Sequence, residues 1–528
     1  MPAPTLHKLG ILALALAIAG TASAQFGDKV VELSHITLAQ LSASSGNDCW
    51  GYVSPSGREY ALMGCNNKVA VIEITNPTNP VIVKTIPHSS STWCDIKTYG
   101  HYAYAVTETS GTGIQVIDLG DVDNGNVTLV QTLTSPSRTH NIHVDTVNGF
   151  LYTCGSNGGT GTTMCFSLAN PAAPVRVGPN SMTTNYHHDG QLVSYTTGPL
   201  AGHQIWYGFS EGRGVDVYDF TDKNNPVMIK RIVYPNMNYC HQGWISEDLK
   251  YLYVDDELDE TGIGVATRSL VFNVEDPVNG FFVGTFSTGL PSIDHNQYTD
   301  DGFSFQANYR SGLRIFDRMA DPTAPVAVGF YDTYPADNNA NFDGAWSTYP
   351  YFPSGRIIIS DINSGFYVVD ATQALTRLQY ADSGAMAGGT LVSGSFADLR
   401  VADGVGMKMR YSTSGTPDGF PIGIDLDTHT FDTHPDKVKV TVVSQGNFPG
   451  YSQVLEVFDF AHNVWVRFDQ WQLGISSTTR TFEITANTSD FIQPGSNTLR
   501  LGVRYQSDIR QSAKLTATLD QVKFEVLR

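Results

Sequence analysis

Charge is scarce in this chain: Asp, Glu, Lys and Arg make up only 16% of its 528 residues, and the basic ones are the rarer kind. Against 51 Asp and Glu stand 32 Lys and Arg, a formal net charge of −19. A surface of that sign repels phosphate backbones and anionic lipid, which argues against nucleic acid or a membrane surface as partner. Cysteine is sparse too, six in all with no CxxC spacing, which argues against a cysteine-held zinc cluster. After the N-terminus no apolar run reaches transmembrane length, so no membrane insertion is expected. There is no GxSxG elbow, no P-loop, no HExxH, and no GxGxxG between a strand and a helix. The glycine-rich Gly155–Thr162 joins two expected strands and reads as a hairpin loop, not a phosphate cradle. No stretch holds a 3.6-residue period for long, which excludes a helical solenoid.

What is plentiful is glycine and tyrosine, 50 and 25 residues, the mark of many turns and half-buried strands. The N-terminus carries Lys8, an apolar run from Leu9 to Ala19, and a small-residue cleavage site at Thr21 to Ala24. Residues 1–24 are therefore expected to be a cleaved signal peptide, and the mature protein to be secreted or periplasmic. In that oxidising location the cysteines are expected to pair. Cys49 with Cys65, and Cys154 with Cys165, flank expected hairpins; Cys94 and Cys240 are left to bridge or to stay free.

The dominant signal is a repeat. It reads VAVIEITNPTNPV from Val69, GIQVIDL from Gly113, TMCFSLANPAAPV from Thr163 and GVDVYDFTDKNNPV from Gly214. It continues with SLVFNVEDPV from Ser269, GLRIFDRMADPTAPV from Gly312 and GFYVVDAT from Gly365. Each copy alternates like a strand and most end at Asn-Pro or Asp-Pro, which starts a turn. Two strand-like runs precede each copy and a fourth usually follows, which makes one propeller blade per copy. The expected fold class is all-β: a seven-bladed β-propeller over residues 25–374, a linker at 375–388 and a jelly-roll-like β-sandwich at 389–528. Val30 to Leu41 is expected to complete the last blade, which has no clear fourth strand of its own.

These seven segments resemble the LVIVD repeat, and the stretch from Asp48 to Thr372 resembles the choice-of-anchor B family of secreted bacterial proteins. The resemblance implies export and a propeller and names no activity. The chain departs from that pattern in having no evident anchor at its end.

Aligning the copies at the start of each innermost strand superposes His140-Asn141, His188-Asp189, His241-Gln242 and His295-Asn296. Imidazoles converging on one axis are a standard way to hold zinc, copper, iron or manganese. His143, His187 and Asp189, beside the aligned set, join the candidate metal ligands. The run from Asp255 to Glu260 ends a neighbouring strand, and Asp255 or Asp256 could serve there as general base or calcium ligand. Tyr309 and Arg310 are candidates for holding an anionic substrate, with Tyr298 and Trp244 as stacking surfaces. In the C-terminal part Asp398, Asp403, Trp465 and Trp471 suggest a carbohydrate face with calcium. Two functions compete. One is a metal-dependent extracellular enzyme, lyase, hydrolase or oxidase, with polysaccharide as its extracellular ligand. The other is a non-catalytic binding or adhesion protein whose histidines are structural.

Overall fold

The computed structural model describes residues 27–157, 162–412, 420–507 and 515–528. The expected signal peptide lies outside them, as do residues 158–161 of the glycine-rich loop. The described chain is all-β, and its first part is a series of four-stranded antiparallel sheets, an arrangement consistent with a β-propeller. Sheet I is Gly46–Val53, Glu59–Cys65, Lys68–Glu73 and Val81–Pro87, each strand paired with the next. Sheets II to VI repeat this plan, sheet VI with the short strand Gly27–Asp28 added beside its outer strand Val326–Tyr331. Their first strands are Cys94–Tyr99, Asn141–Asp145, Asp189–Ser194, Cys240–Ile245 and Asn296–Asp300. Sheet VII has three strands of its own, Ala345–Tyr349, Arg356–Asp361 and Gly365–Asp370. Val31–Thr37, from the other end of the chain, supplies its fourth, as the sequence pattern suggested.

The repeat's sequence explains its local structure. In Lys68–Glu73 the core residues Val69, Ala70, Val71 and Ile72 are all fully buried, because a sheet lies against each face. Burying a side chain of this size contributes about 1.5–3 kcal/mol. The outer strand Val81–Pro87 has one covered face only, and Val81 stays exposed. Asn76-Pro77 breaks off the third strand into a turn closed by Asn79 N–H donating to Asn76 O at 3.0 Å. The same turn recurs at Asn170 and Asp321.

First strands pack against first strands in chain order, and that of sheet VII packs against that of sheet I, so the series closes on itself. Side chains stitch the circuit. Asn47 accepts from Cys94 N–H at 2.6 Å, Asp95 from Ile142 N–H at 2.7 Å, and Gln242 from Gln297 N–H at 2.9 Å.

Among the described residues, the rest of the chain forms two six-stranded sheets. One apolar cluster lies between them, with Val440, Val442 and Phe524 from one sheet and Leu426, Val457 and Leu501 from the other. Residues 375–388 are not an unpaired linker. Thr376–Tyr380 pairs with Thr516–Leu527, and Ser383–Gly388 with Ile422–His429. Small polar side chains do not prevent pairing, because an edge strand needs only its backbone.

The expected disulfides are absent, and all six cysteines are free and buried. Register is the reason. Cys49 stands opposite Met63, and Tyr152 opposite Cys165, so each proposed pair is offset by two residues along the ladder. Such diagonal neighbours lie about 7–8 Å apart, beyond the reach of a bridge. Burial pushes the Cys65 and Cys165 thiols up to about 11 and about 12, which leaves them unreactive.

Candidate functional site

The first residues of the innermost strands converge on a cavity of about 520 Å³. Sheets III to VI each place one histidine in its wall: His140, His188, His241 and His295. The ring centroids follow one another at 4.0, 4.2 and 4.5 Å. All four rings are buried.

Hydrogen bonds fix which nitrogen faces the cavity. Nδ1–H of His241 donates to the carbonyl of His295 at 2.8 Å, and Nδ1–H of His295 to the carbonyl of Trp346 at 2.6 Å. Since a carbonyl only accepts, each neutral ring keeps its lone pair on Nε2. Both free nitrogens turn to the Glu257 carboxylate, at 3.6 Å from His241 and 3.7 Å from His295. Ligand atoms of these three residues lie within 4.8 Å of one another, close enough to share one ion. Burial, with the neighbouring imidazoles adding to it, pushes His241 and His295 down to about 3, so both rings are neutral at neutral pH. His188 is driven well below the usual range by burial and then by the charges of its three neighbours. Tyr309 donates its hydroxyl to Glu257 at 2.7 Å, and its ring lies tilted against His295 with centroids 4.5 Å apart. At the other end of the row, Nδ1–H of His140 donates to Glu108 at 2.7 Å, and this bond holds the Glu108 carboxyl below its usual range.

Beneath the histidines lies a layer of carboxylates. Lys97 contacts Asp95 at 2.5 Å and Asp48 at 3.3 Å, and rests over the Trp50 ring. Burial works against the lysine's charge, yet Asp95, Asp48 and Asp189 together hold it above the usual range. Asp189 lines the cavity as expected, and burial pushes its carboxyl up to about 7.

Several expected site residues lie elsewhere. Asp255 and Asp256 are fully buried and do not line the cavity. Asp255 accepts from Gln297 Nε2 at 2.6 Å, while Asp256 is taken by Tyr234 Oη and by the Asn238 and Tyr239 N–H groups. Both still sit in the ladder, opposite Gln242 and Cys240, and Glu257 is the first residue beyond it. Glu108 likewise follows the second strand of sheet II, and Tyr309 lies just past that of sheet VI. That shared position was the signal pointing to Glu257 and Glu108. Arg310 is not free for an anion: it pairs with Asp337 at 2.7 Å and with Asp343. His187 turns away from the cavity. Trp206 Nε1–H donates to its Nδ1 at 3.0 Å, and its Nε2 faces Asp216 at 3.3 Å, so no lone pair remains for a metal. His143 lines a second cavity of about 410 Å³ with Trp50, Trp244 and Tyr351, further along the same strands. Of the stacking candidates, Tyr298 reaches the main cavity and Trp244 lines only the second. In the C-terminal part Asp398 and Asp403 cap local turns, Trp471 packs on the core and Arg504 covers Trp465.

No family model matches this chain, and no curated protein does. Among solved structures it is similar to U3-55K at 8% identity and a TM-score of 0.45, over 64% of this chain and 98% of that one. It is similar to a functionally unknown protein from Desulfotomaculum acetoxidans DSM 771 at 14% identity and a TM-score of 0.41, over 56% and 87%. Likenesses this distant say nothing of chemistry, which rests on the cavity's own residues.

Proposed function

We propose that this chain is an exported seven-bladed β-propeller, sheets I to VII being its blades, with a jelly-roll-like β-sandwich behind it and a divalent transition-metal centre at its channel mouth. The resemblance of its repeats to those of choice-of-anchor B proteins supports the export and the propeller. The observation that carries the metal centre is the trio His241, His295 and Glu257. Two imidazoles have their Nδ1–H groups committed to carbonyls, and one carboxylate faces both free nitrogens. Two neutral imidazoles and a carboxylate leave coordination positions open, as in hydrolytic zinc and non-haem iron centres. A divalent ion there acts as Lewis acid and brings the pKa of a bound water toward neutrality. His140, held through Nδ1 by Glu108, presents Nε2 on the same wall and is assigned the role of general base.

The wall also selects the substrate. Among the described residues no Lys or Arg lines the cavity, whereas Glu108, Asp189 and Glu257 do, so an acidic polysaccharide is a poor fit. Trp93, Tyr239, Phe342 and Trp346 offer aromatic faces beside these acceptors, the combination that suits the apolar faces and hydroxyls of a neutral sugar. The reading is a metal-dependent hydrolase of neutral carbohydrate.

A second reading has its own support. The same Nδ1 bonds join sheet V to VI and VI to VII, a stitching role that needs no metal and suits a non-catalytic binding protein. The test is the untagged protein, stripped with chelator and reloaded with Co2+. Ligand-field absorption at one equivalent, absent from His295→Ala, with metal-restored cleavage of neutral glycosides, supports the enzyme. A folded wild type that takes up no Co2+ leaves the histidines as stitches.

A further inference from the structure

We infer that Asp255, Asp259, Glu260 and Asp294 form a calcium site at the junction of sheets V and VI, apart from the histidine row. All four side chains are buried, with exposures of 0, 0, 5 and 0%. Six of their oxygens have no hydrogen-bond partner: Asp255 Oδ2, Asp259 Oδ1, and both oxygens of Glu260 and of Asp294. Native interiors rarely leave one buried polar atom unmet, and here six belong to four neighbouring carboxyl groups. Asp259, Glu260 and Asp294 each bring an oxygen within 4.8 Å of the other two, the span of a single ion's coordination shell. Asp255 stands beside Asp294 and closes the group. The fully buried Asn308 adds a further unpartnered oxygen to the same network, through Gln306 and Ser269 to Asp255.

Charge makes the same demand. Among the described residues the one cation paired with this group is Arg268, on Asp259. Four buried carboxyl groups share one guanidinium, and repulsion between their charges, which rises steeply away from water, has to be relieved by protons or by a bound cation that displaces them. The donor set is all oxygen and mostly anionic, which selects a hard cation. Ca2+ accepts about six to eight oxygens in flexible geometry, whereas Mg2+ demands a strict octahedron and keeps its waters, for which this buried group leaves little room.

The site also has a consequence for its neighbour. Glu257 lies on the loop between Asp255 and Asp259, so a cation gripping both ends fixes the carboxylate that faces His241 and His295. That coupling, unlike the calcium site, rests on the metal centre proposed above.

The experiment is a Ca2+ titration of the full-length mature protein by calorimetry, with thermal melts in EGTA, Ca2+ and Mg2+. One Ca2+ should bind per chain, EGTA should lower the melting temperature by on the order of 5 °C, and Ca2+ but not Mg2+ should restore it. Glu260→Gln/Asp294→Asn should lose this response, while His241→Ala/His295→Ala should keep it. A wild type indifferent to Ca2+ and EGTA overturns the inference, as does a folded carboxamide variant that still responds, or a response lost in the histidine variant. Should the carboxamide variant not fold, the wild-type titration decides alone.

Discussion

Replacing Tyr309 with Phe removes one oxygen from the wall of the histidine cavity and nothing else. The hydroxyl donates to Glu257 at 2.7 Å, while the ring rests on His295 and Phe342 with centroids at 4.5 and 5.4 Å. Those ring contacts survive in Phe. The backbone at Tyr309 has φ near 40°, a left-handed conformation that a bulky side chain holds under strain, and Phe carries the same strain. The fold should therefore be unchanged. A hydrogen bond to a charged acceptor is worth about 1.5–3 kcal/mol. At about 1.4 kcal/mol per tenfold, losing the group that orients Glu257 should weaken metal binding by roughly ten- to a hundredfold. Competition against a chromophoric chelator for Zn2+ at neutral pH reads the ratio of wild type to variant directly. A ratio near unity in a variant that melts like wild type would mean that Glu257 is not the ligand Tyr309 orients, and the reasoning would fail.

Three further outcomes follow from the interior. Burial pushes His143 down to about 4 from an unfolded value of 6.5, so the unfolded chain binds the extra proton between those pH values. Its contribution to stability is full above about pH 6.5 and falls as pH drops toward 4, by up to about 3 kcal/mol. His143→Gln should flatten that acid limb in urea melts, and an unchanged slope would reject the assignment. The six buried thiols should resist alkylation in the native protein, and denaturation without reductant should yield six modified cysteines by mass. Fewer than six would reveal a bridge. Trp206 is fully buried, with Tyr152 and Phe220 at 5.6 Å, and Trp206→Ala should cost about 3–5 kcal/mol in denaturant unfolding. A loss near zero would show the site collapsing without penalty.

The β-branched runs such as Val69 to Ile72 were legible because their burial comes from the repeat itself. The same period superposed His140, His188, His241 and His295, and the pattern of Val30 to Leu41 marked it as a missing outer strand. What escaped the sequence depended on single-residue register or on distant partners. Asp255 and Asp256 outrank Glu257 as conspicuous acids, yet the ladder ends one residue later than composition suggests. His187 and His188 are neighbours just ahead of the strand Asp189–Ser194, and only the position of Trp206 tells which one is consumed. Arg310 looked free because Asp337 and Asp343, which hold it, lie far along the chain. The cysteine pairs failed by one diagonal step, a distance no spacing rule encodes.

Anomalous diffraction from crystals of the untagged protein loaded with Zn2+, collected on both sides of the zinc edge, tests the metal centre most directly. The account predicts one strong peak about 2.0–2.2 Å from Nε2 of His241, Nε2 of His295 and the Glu257 carboxylate. A peak only at Asp459, His462 and Asp490 on the C-terminal unit, with the histidine cavity empty, would contradict it.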